Sequence, residues 1–347
     1  MPVSLWFNHT FSSLYNICQL LRQGVASHGL GSGLKIVMSH SNSQFVARPL
    51  ADEFFEEPSS KEPDFYADWC LTKCRQLGID LFWPSRGAAN LAAYAKDFES
   101  QGTHLMVCAT PETIEVLNDK AVFYSRLADS GLGLPWYREV KNQSELKAAV
   151  EELLKTGVRV CLKPPKSIYG LGFKIISEST NIMSAYLASD PVKTTLEEAL
   201  EKLNVPEELF PRLLVMELLP GPEYSVDCLA REGRLLKASI RKKPLWAGHP
   251  ERLIYDREII QIARNLTENF RLNNIFNLQL MDSPNGRKLL EINPRMAGGL
   301  YYSCLAGINY PYWAVRLALG ASEDLLPDQI YDLQVTQVYQ PFIYDLT

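Results

Sequence analysis

Through residues 1–111, short apolar runs alternate with longer stretches whose apolar positions recur every three or four residues, the two periods of strand and helix. The pattern predicts strands at 3–8, 34–39, 53–56, 79–83 and 104–109, and helices near 12–23, 65–77 and 87–100. Strands separated by helices imply a parallel sheet covered on its faces, a Rossmann-like α/β arrangement. The first strand runs into Asn8-His9-Thr10-Phe11-Ser12 and not into a glycine fingerprint, so no dinucleotide site is expected there. Asn8, His9 and Ser12, with Ser39, His40 and Ser41, fall at the carboxyl ends of the first two strands, where open parallel sheets bind ligands. Each histidine reads more readily as a surface or capping residue. Arg86, in the turn before the third helix, is the better anion candidate, because helix N-termini attract negative charge.

Beyond residue 112 the pattern changes. Leu146, Ala149, Val150, Leu153 and Leu154 form a core-facing helical stripe that opens with Asn142 and Glu145 at capping spacing. A β-branched run then reaches Lys163, a turn with Gly170 and Gly172 follows, and a second strand comes after it. Such a strand–turn–strand flap can lay backbone amides over phosphates while the lysine supplies a point charge. Lys120 stands earlier, at the start of a helix that Asn118 or Asp119 can cap. Residues 181–210 are polar apart from a helix expected at 194–203. An apolar run then reaches Glu217, turns at Pro220-Gly221 and resumes with Glu223 and Asp227.

The densest chemistry lies in LLEINPRMAGG, residues 289–299. On a strand, Leu290 and Ile292 face one way while Glu291, Asn293 and Arg295 face the other. Glu and Asn offer hard oxygens to Mg²⁺, and Arg can fork onto a phosphate or acyl-phosphate oxygen. Pro294 lacks a ladder N–H, so the strand ends or lies at an edge there, and Gly298-Gly299 lets the backbone approach a ligand.

Composition narrows the class. The 347 residues are 46% apolar and 22% charged, enough for a large core and two or three domains. A net charge of −5 argues against nucleic acid as the main partner. The one basic cluster, Arg241-Lys242-Lys243, reads equally as a solvated strand end or as a group near a triphosphate. Seven scattered cysteines without a Cys-x-x-Cys pair read as reduced thiols of a cytoplasmic protein. Neither a signal peptide nor an eighteen-residue apolar run is present, so no membrane association is expected. The tail from Val335 alternates like an edge strand or an arm.

The order of these parts resembles the ATP-grasp superfamily, on its carboxylate–amine ligase and carbamoyl phosphate synthetase side, from about Pro2 to Gly320. Five separated motifs carry the likeness: Lys120; Lys163 with its glycine turn; Glu217 to Glu223; Gln279; and Glu291-Asn293-Arg295. The resemblance implies an α/β fold with a Rossmann-like pre-ATP-grasp domain over 1–111. Linker helices and a small flap-bearing subdomain would occupy 112–212, and a large α+β subdomain with the metal site 213–347. It implies ATP, with Lys120, Lys163, Gly170 and Gly172 at the phosphates, Glu217, Leu218 and Leu219 at adenine, and Glu223 at the ribose. It implies Mg²⁺, or Mn²⁺ in its place, on Gln279, Glu291 and Asn293, with Arg295, Lys163 and Arg241 catalytic. The expected activity is a Mg-ATP-dependent ligase that joins a small carboxylate to an amine through an acyl phosphate, with a homodimer allowed. A phosphotransferase, or a nucleotide-binding module without turnover, keeps the same ATP motifs. Two departures stand out: Lys166 and Tyr169 make the glycine turn bulkier than the family's, and Asn273-Asn274 replace the glycine expected before Gln279. The openings WFNHTFS and SHSNSQFVARPLADEFFEEP are also similar to ATP-grasp proteins of tellurite-resistance-type stress operons.

Overall fold

The structure is a computed structural model that describes residues 1–60, 62–167, 170–177, 193–246 and 248–338. The chain packs into two compact units that are not consecutive in sequence. One comprises 1–115, 224–278 and 292–347, the other 116–223 and 279–291. This division cuts across the three sequential segments 1–111, 112–212 and 213–347.

In the first unit, strands β1 (Val3–Phe7), β2 (Leu34–His40), β3 (Glu53–Glu56), β4 (Leu81–Trp83) and β5 (His104–Leu105) form a parallel sheet in the order β3-β2-β1-β4-β5. Alternation along the strands sends their side chains into two cores. Leu5, Phe7, Ile36, Met38, Leu81 and Trp83 pack with Ile17 and Leu21 of helix Leu14–His28 and with Tyr312 and Trp313 of helix Tyr310–Ala318. Trp6, Val37 and Phe82 pack instead with Ala67, Cys70 and Cys74 of helix Pro63–Leu77. Burial on both faces is what a parallel sheet requires. Gly24 lets the two helices of the first core close up, since a Cβ there would lie 2.4 Å from the Tyr312 ring. The helix expected at 87–100 breaks at Tyr94 into Ala88–Ala93 and Ala95–Ser100. The fifth strand, expected to reach 109, pairs only through Leu105.

The second unit holds β6 (Tyr137–Val140), β7 (Val160–Lys163), β8 (Lys174–Ile176), β9 (Lys193–Thr194) and β10 (Leu213–Glu217), in the order β6-β10-β7-β8-β9. Val140, Leu162, Leu213 and Val215 meet Leu146, Ala149, Val150 and Leu153 of helix Gln143–Leu154, so these four of the expected stripe face this core, whereas Leu154 is exposed near the helix end. Asn142 caps that helix by accepting from Glu145 N at 2.8 Å. Thr195 and Glu198 form a reciprocal capping box on helix Leu196–Lys202.

A six-stranded sheet follows: β11 (Glu223–Arg231), β12 (Arg234–Lys242), β13 (Glu251–Ile254), β14 (Asn274–Ser283), β15 (Gly286–Asn293) and β16 (Leu333–Val335), ordered β15-β14-β11-β12-β13-β16. Glu232 and Gly233 both take positive φ, 54° and 79°, the geometry of a tight two-residue hairpin between β11 and β12. Residues 279–291 of β14 and β15 pack with the second unit. β16 sits at the sheet edge against β13, and the tail beyond Val338 lies outside the described residues. All seven cysteines are buried and free. Burial pushes the Cys74, Cys108, Cys161 and Cys304 thiols up to about 12. No helix among the described residues is long and apolar enough to cross a membrane.

Candidate functional site

In the second unit two ammonium groups converge on one carboxylate oxygen. Lys120 Nζ lies 3.0 Å and Lys163 Nζ 3.6 Å from Glu291 Oε2. Each is positioned by a separate local device. Asp119 caps helix Lys120–Arg126 by accepting from Ala121 N and Val122 N, and its other oxygen holds Arg212 at 2.6 Å. That fixes Lys120 as the first helical residue, and its N–H donates to Pro165 O at 3.0 Å, tying the helix to the glycine turn. Lys163 ends β7, paired with Leu214 of β10. Tyr124, one turn further along the same helix, donates to Leu290 O at 2.6 Å and anchors the strand beside Glu291.

The balance of charge here favours an anion. Burial pulls the Lys163 pKa down; Glu291 draws it back up and Lys120 opposes that, leaving it lowered. Two cations thus share one half-buried carboxylate oxygen, an arrangement of locally surplus positive charge. Gly170 and Gly172 in the turn take φ of 70° and 77°, which other residues rarely adopt, and a Cβ on Gly172 would lie 2.6 Å from Pro164 Cγ. Tyr169 lies outside the described residues.

At the end of β10, Glu217 Oε1 accepts from Trp136 N at 2.9 Å, closing the strand end. Leu218 N donates to Arg159 O at 2.7 Å. The Leu218 N–H is therefore committed to protein. Gly221 passes so close to β14 that a Cβ would lie 2.3 Å from Asp282 O, which fixes the turn before Glu223.

Gln279 on β14 and Glu291 on β15 lie in the second unit and each carries a hard oxygen, whereas Asn293, at the end of β15, falls in the first. Among the described residues, no group of three or more His, Cys, Asp or Glu side chains is arranged to hold a metal ion. In the first unit, Arg295 folds back across Pro294. Its N–H reaches Asn293 O at 2.7 Å, and its guanidinium reaches Asn293 Oδ1 at 3.3 Å and Met296 O at 3.1 Å.

Arg241, expected at the chemistry, lies in a buried network of the first unit, in which Asn277 Oδ1 is left without a hydrogen bond. Its guanidinium donates to Asp227 Oδ2 and Ser303 Oγ at 3.1 Å each, Glu251 Oε2 at 2.9 Å and Ser225 Oγ at 2.8 Å. Asn277 donates to Ser225 and Asp227 from the neighbouring strand β14. Burial lowers the Arg241 pKa, but Asp227 and Glu251 overcompensate and leave it raised. Gly299 packs directly on this guanidinium, with a Cβ there falling 2.6 Å from NH1. The smallness of Gly299 thus serves Arg241, which acts as a support beneath the 296–299 loop.

The strand-end residues of the Rossmann-like sheet also assemble. Asn8 Oδ1 accepts from Ser85 N at 2.6 Å and Arg86 N at 3.2 Å. His9 and His40 stack at 3.9 Å, and Ser41 meets His9 Nδ1 at 3.1 Å. Their hub is Glu57, whose carboxylate accepts from Ser39 Oγ at 2.8 Å, Tyr66 OH at 2.9 Å and Arg86 at 3.0 Å. Arg86 also donates to Pro58 O and Ser60 O and lies 4.3 Å from the Tyr66 ring centre, so it is structural and not the anion site expected from its position. Glu57 was not among the sequence candidates. The signal was its place one residue beyond the β3 carboxyl end. A recess opens beside this cluster, lined by Phe7, Thr10, Phe11, Trp83, Met106 and Arg295.

The fold matches that of N5-carboxyaminoimidazole synthetase from Staphylococcus aureus, with a TM-score of 0.64 over 94% of this chain and 79% of that one at 14% identity. L-amino acid ligase from Bacillus licheniformis gives 0.62 over 92% and 74% at 16%. The biotin carboxylase domain of 2-oxoglutarate carboxylase from Hydrogenobacter thermophilus, solved with MgADP, gives 0.61 over 92% and 70% at 17%. Residues 209–341 match the family described as ATP-grasp in the biosynthetic pathway with Ter operon, a description that meets the ATP-grasp and stress-operon resemblances of the sequence over that segment. Two curated relatives are carnosine synthase 1 of Gallus gallus, 36% identical over 124 residues, and the arginine-specific carbamoyl phosphate synthase large chain of Eremothecium gossypii, 23% over 317 residues. The matches cover 31% and 85% of this chain but only 13% and 26% of those relatives, so the chain spans a minor part of their length.

Proposed function

We infer that the chain is an ATP-dependent ligase that converts a small carboxylate to its acyl phosphate and passes the acyl group to an amine, releasing ADP and phosphate. The observation that carries this reading is the pair of lysines on Glu291 Oε2. Lys120 and Lys163 are held where triphosphate charge would be met, and the glycine turn tied to Lys120 through Pro165 would cover the phosphates. The Leu218 C=O and Leu219 N–H would read the adenine edge, with Glu217 closing the strand end beside them and Glu223 taking the ribose. Gln279, Glu291 and Asn293 would hold Mg²⁺, or Mn²⁺, which when bound neutralises charge on the phosphate oxygens. Arg295, braced by its neighbours' oxygens, would meet the oxyanion formed when the amine attacks. Arg241 would keep the 296–299 loop in place.

The L-amino acid ligase, the carboxyaminoimidazole synthetase and carnosine synthase among the similar proteins support carbon–nitrogen ligation, and the MgADP complex supports the nucleotide. The test is phosphate release from Mg-ATP across a matrix of carboxylates and amines. Release that needs both an acid and an amine supports the ligase. Release with the acid alone would instead make the chain a phosphotransferase.

A further inference from the structure

The recess beside the Rossmann-like sheet lies wholly in the first unit and sits at a particular place in its topology. In the order β3-β2-β1-β4-β5, the chain runs outward from β1 to β2 and β3 and then crosses back to β4 on the other side of β1, so the order reverses there. The crevice beyond the carboxyl ends of β1 and β4 is where such sheets bind ligands. Phe7, Thr10 and Phe11 come from the first of these ends and Trp83 from the second, with Met106 just past β5.

The wall chemistry is asymmetric. Phe7, Trp83 and Met106 form an apolar floor, each no more than 5% exposed. Charge enters only at the rim, where the Arg295 guanidinium lies 5.7 Å from the centre of the Phe11 ring. We propose that this recess takes the aliphatic tail of the carboxylate to be activated, with Arg295 meeting the acid group, so that the enzyme selects short, unbranched or singly branched acids over aromatic ones. The proposal rests on the ligase reading for its consequence, but the recess itself can be tested apart from catalysis.

Size fixes the class. The cavity is about 40 Å³, and a water-sized group needs roughly 10–15 Å³ on this scale, so it holds about three such groups. A tail of about two to four carbons fits that space, whereas an apolar void that takes a benzene ring is on the order of 150 Å³. Thr10 at the rim adds a hydroxyl that an α-amino group can meet, so α-amino acids with short side chains fall in the same class as plain acids.

Ligand-observed NMR on the full chain, with butyrate, isovalerate and phenylacetate, tests this directly. Butyrate and isovalerate are expected to bind and phenylacetate to bind at least tenfold more weakly. Met106→Ala should admit phenylacetate, and Ala88→Leu, a half-buried helical position lining the same recess, should fill it and abolish binding of the short acids. Because Ala88→Leu only adds apolar volume, it guards against a Met106→Ala chain that fails to fold. Binding of phenylacetate as tight as butyrate, or short-acid binding untouched by Ala88→Leu, would overturn the proposal, as would no binding of any short acid. If the short acids bind as described but none supports ADP formation, the recess stands and the ligase reading falls.

Discussion

Two charge clusters, one in each unit, differ in burial and in how their charges are matched: Arg241 and Asp227 are buried, whereas Glu291 and Lys163 are half-buried. Around Arg241, a guanidinium is met by Asp227, Glu251, Ser225 and Ser303, and Asn277 holds the far side of Asp227. Around Glu291, one carboxylate oxygen is shared by two lysines, and Lys163 keeps a lowered pKa in spite of that contact. A matched network holds a fold together and has little to offer a ligand. A cluster with surplus charge costs stability by itself and recovers it when a counter-ion arrives. By this contrast Arg241 would serve the scaffold, and Glu291 with its lysines would serve the proposed chemistry.

The largest effect should come from breaking the matched cluster. Arg241→Ala leaves Asp227 buried without its cation, so urea unfolding should show a loss of about 3–5 kcal/mol. A loss below 1 kcal/mol would show that the network is not structural. Glu291→Gln, at the other cluster, should keep the fold and lower ADP formation at least ~10²-fold, the scale of one lost charge contact in a transition state. Turnover at the parent rate would remove Glu291 from the site.

Smaller effects sharpen the contrast. Lys163→Ala removes one cation of the pair, and Mg-ADP affinity measured by calorimetry should fall about tenfold, the scale of one charge-assisted hydrogen bond. Affinity equal to the parent would make Lys163 a bystander. The same lysine sets a pH dependence. Its pKa is lowered in the free protein, chiefly by burial, and a bound phosphate would raise it. Nucleotide binding should therefore take up protons between the lowered and the raised value, and affinity should fall as pH rises through that range, by at most about tenfold per pH unit. Calorimetry in buffers of differing ionisation enthalpy reads this uptake directly. Proton release, or none, in that range would contradict the assignment.

Much of the local structure was legible because each device is short-range. Asp119 and Asn142 announce their helices, and short apolar runs announce β1 to β4. Asn274 adopts φ of 58°, so an asparagine does supply the left-handed turn for which a glycine is usual before Gln279. The misreadings came from long-range partners. Arg86 looked free for an anion until Glu57, from a strand end 29 residues earlier, claimed it. Arg241 looked catalytic until Ser303, 62 residues later, completed its shell. Leu218 looked able to read a base until Arg159 O took its N–H. No periodicity encodes such pairings. The division into compact units escaped for the same reason, since 279–291 pack with a segment that ended more than fifty residues before.

The buried cysteines have a practical consequence. A thiol whose pKa is pushed up to about 12 presents almost no thiolate near neutrality. Toward iodoacetamide, the folded chain should behave as though it had no cysteine, and all seven thiols should react together once it opens. The chain thus carries its own unfolding clock, and its background is low enough for one added thiol to be read. Leu171, 66% exposed between Gly170 and Gly172, is the position to use. In Leu171→Cys, protection from alkylation on adding Mg-ATP would time the closing of the glycine turn over its nucleotide.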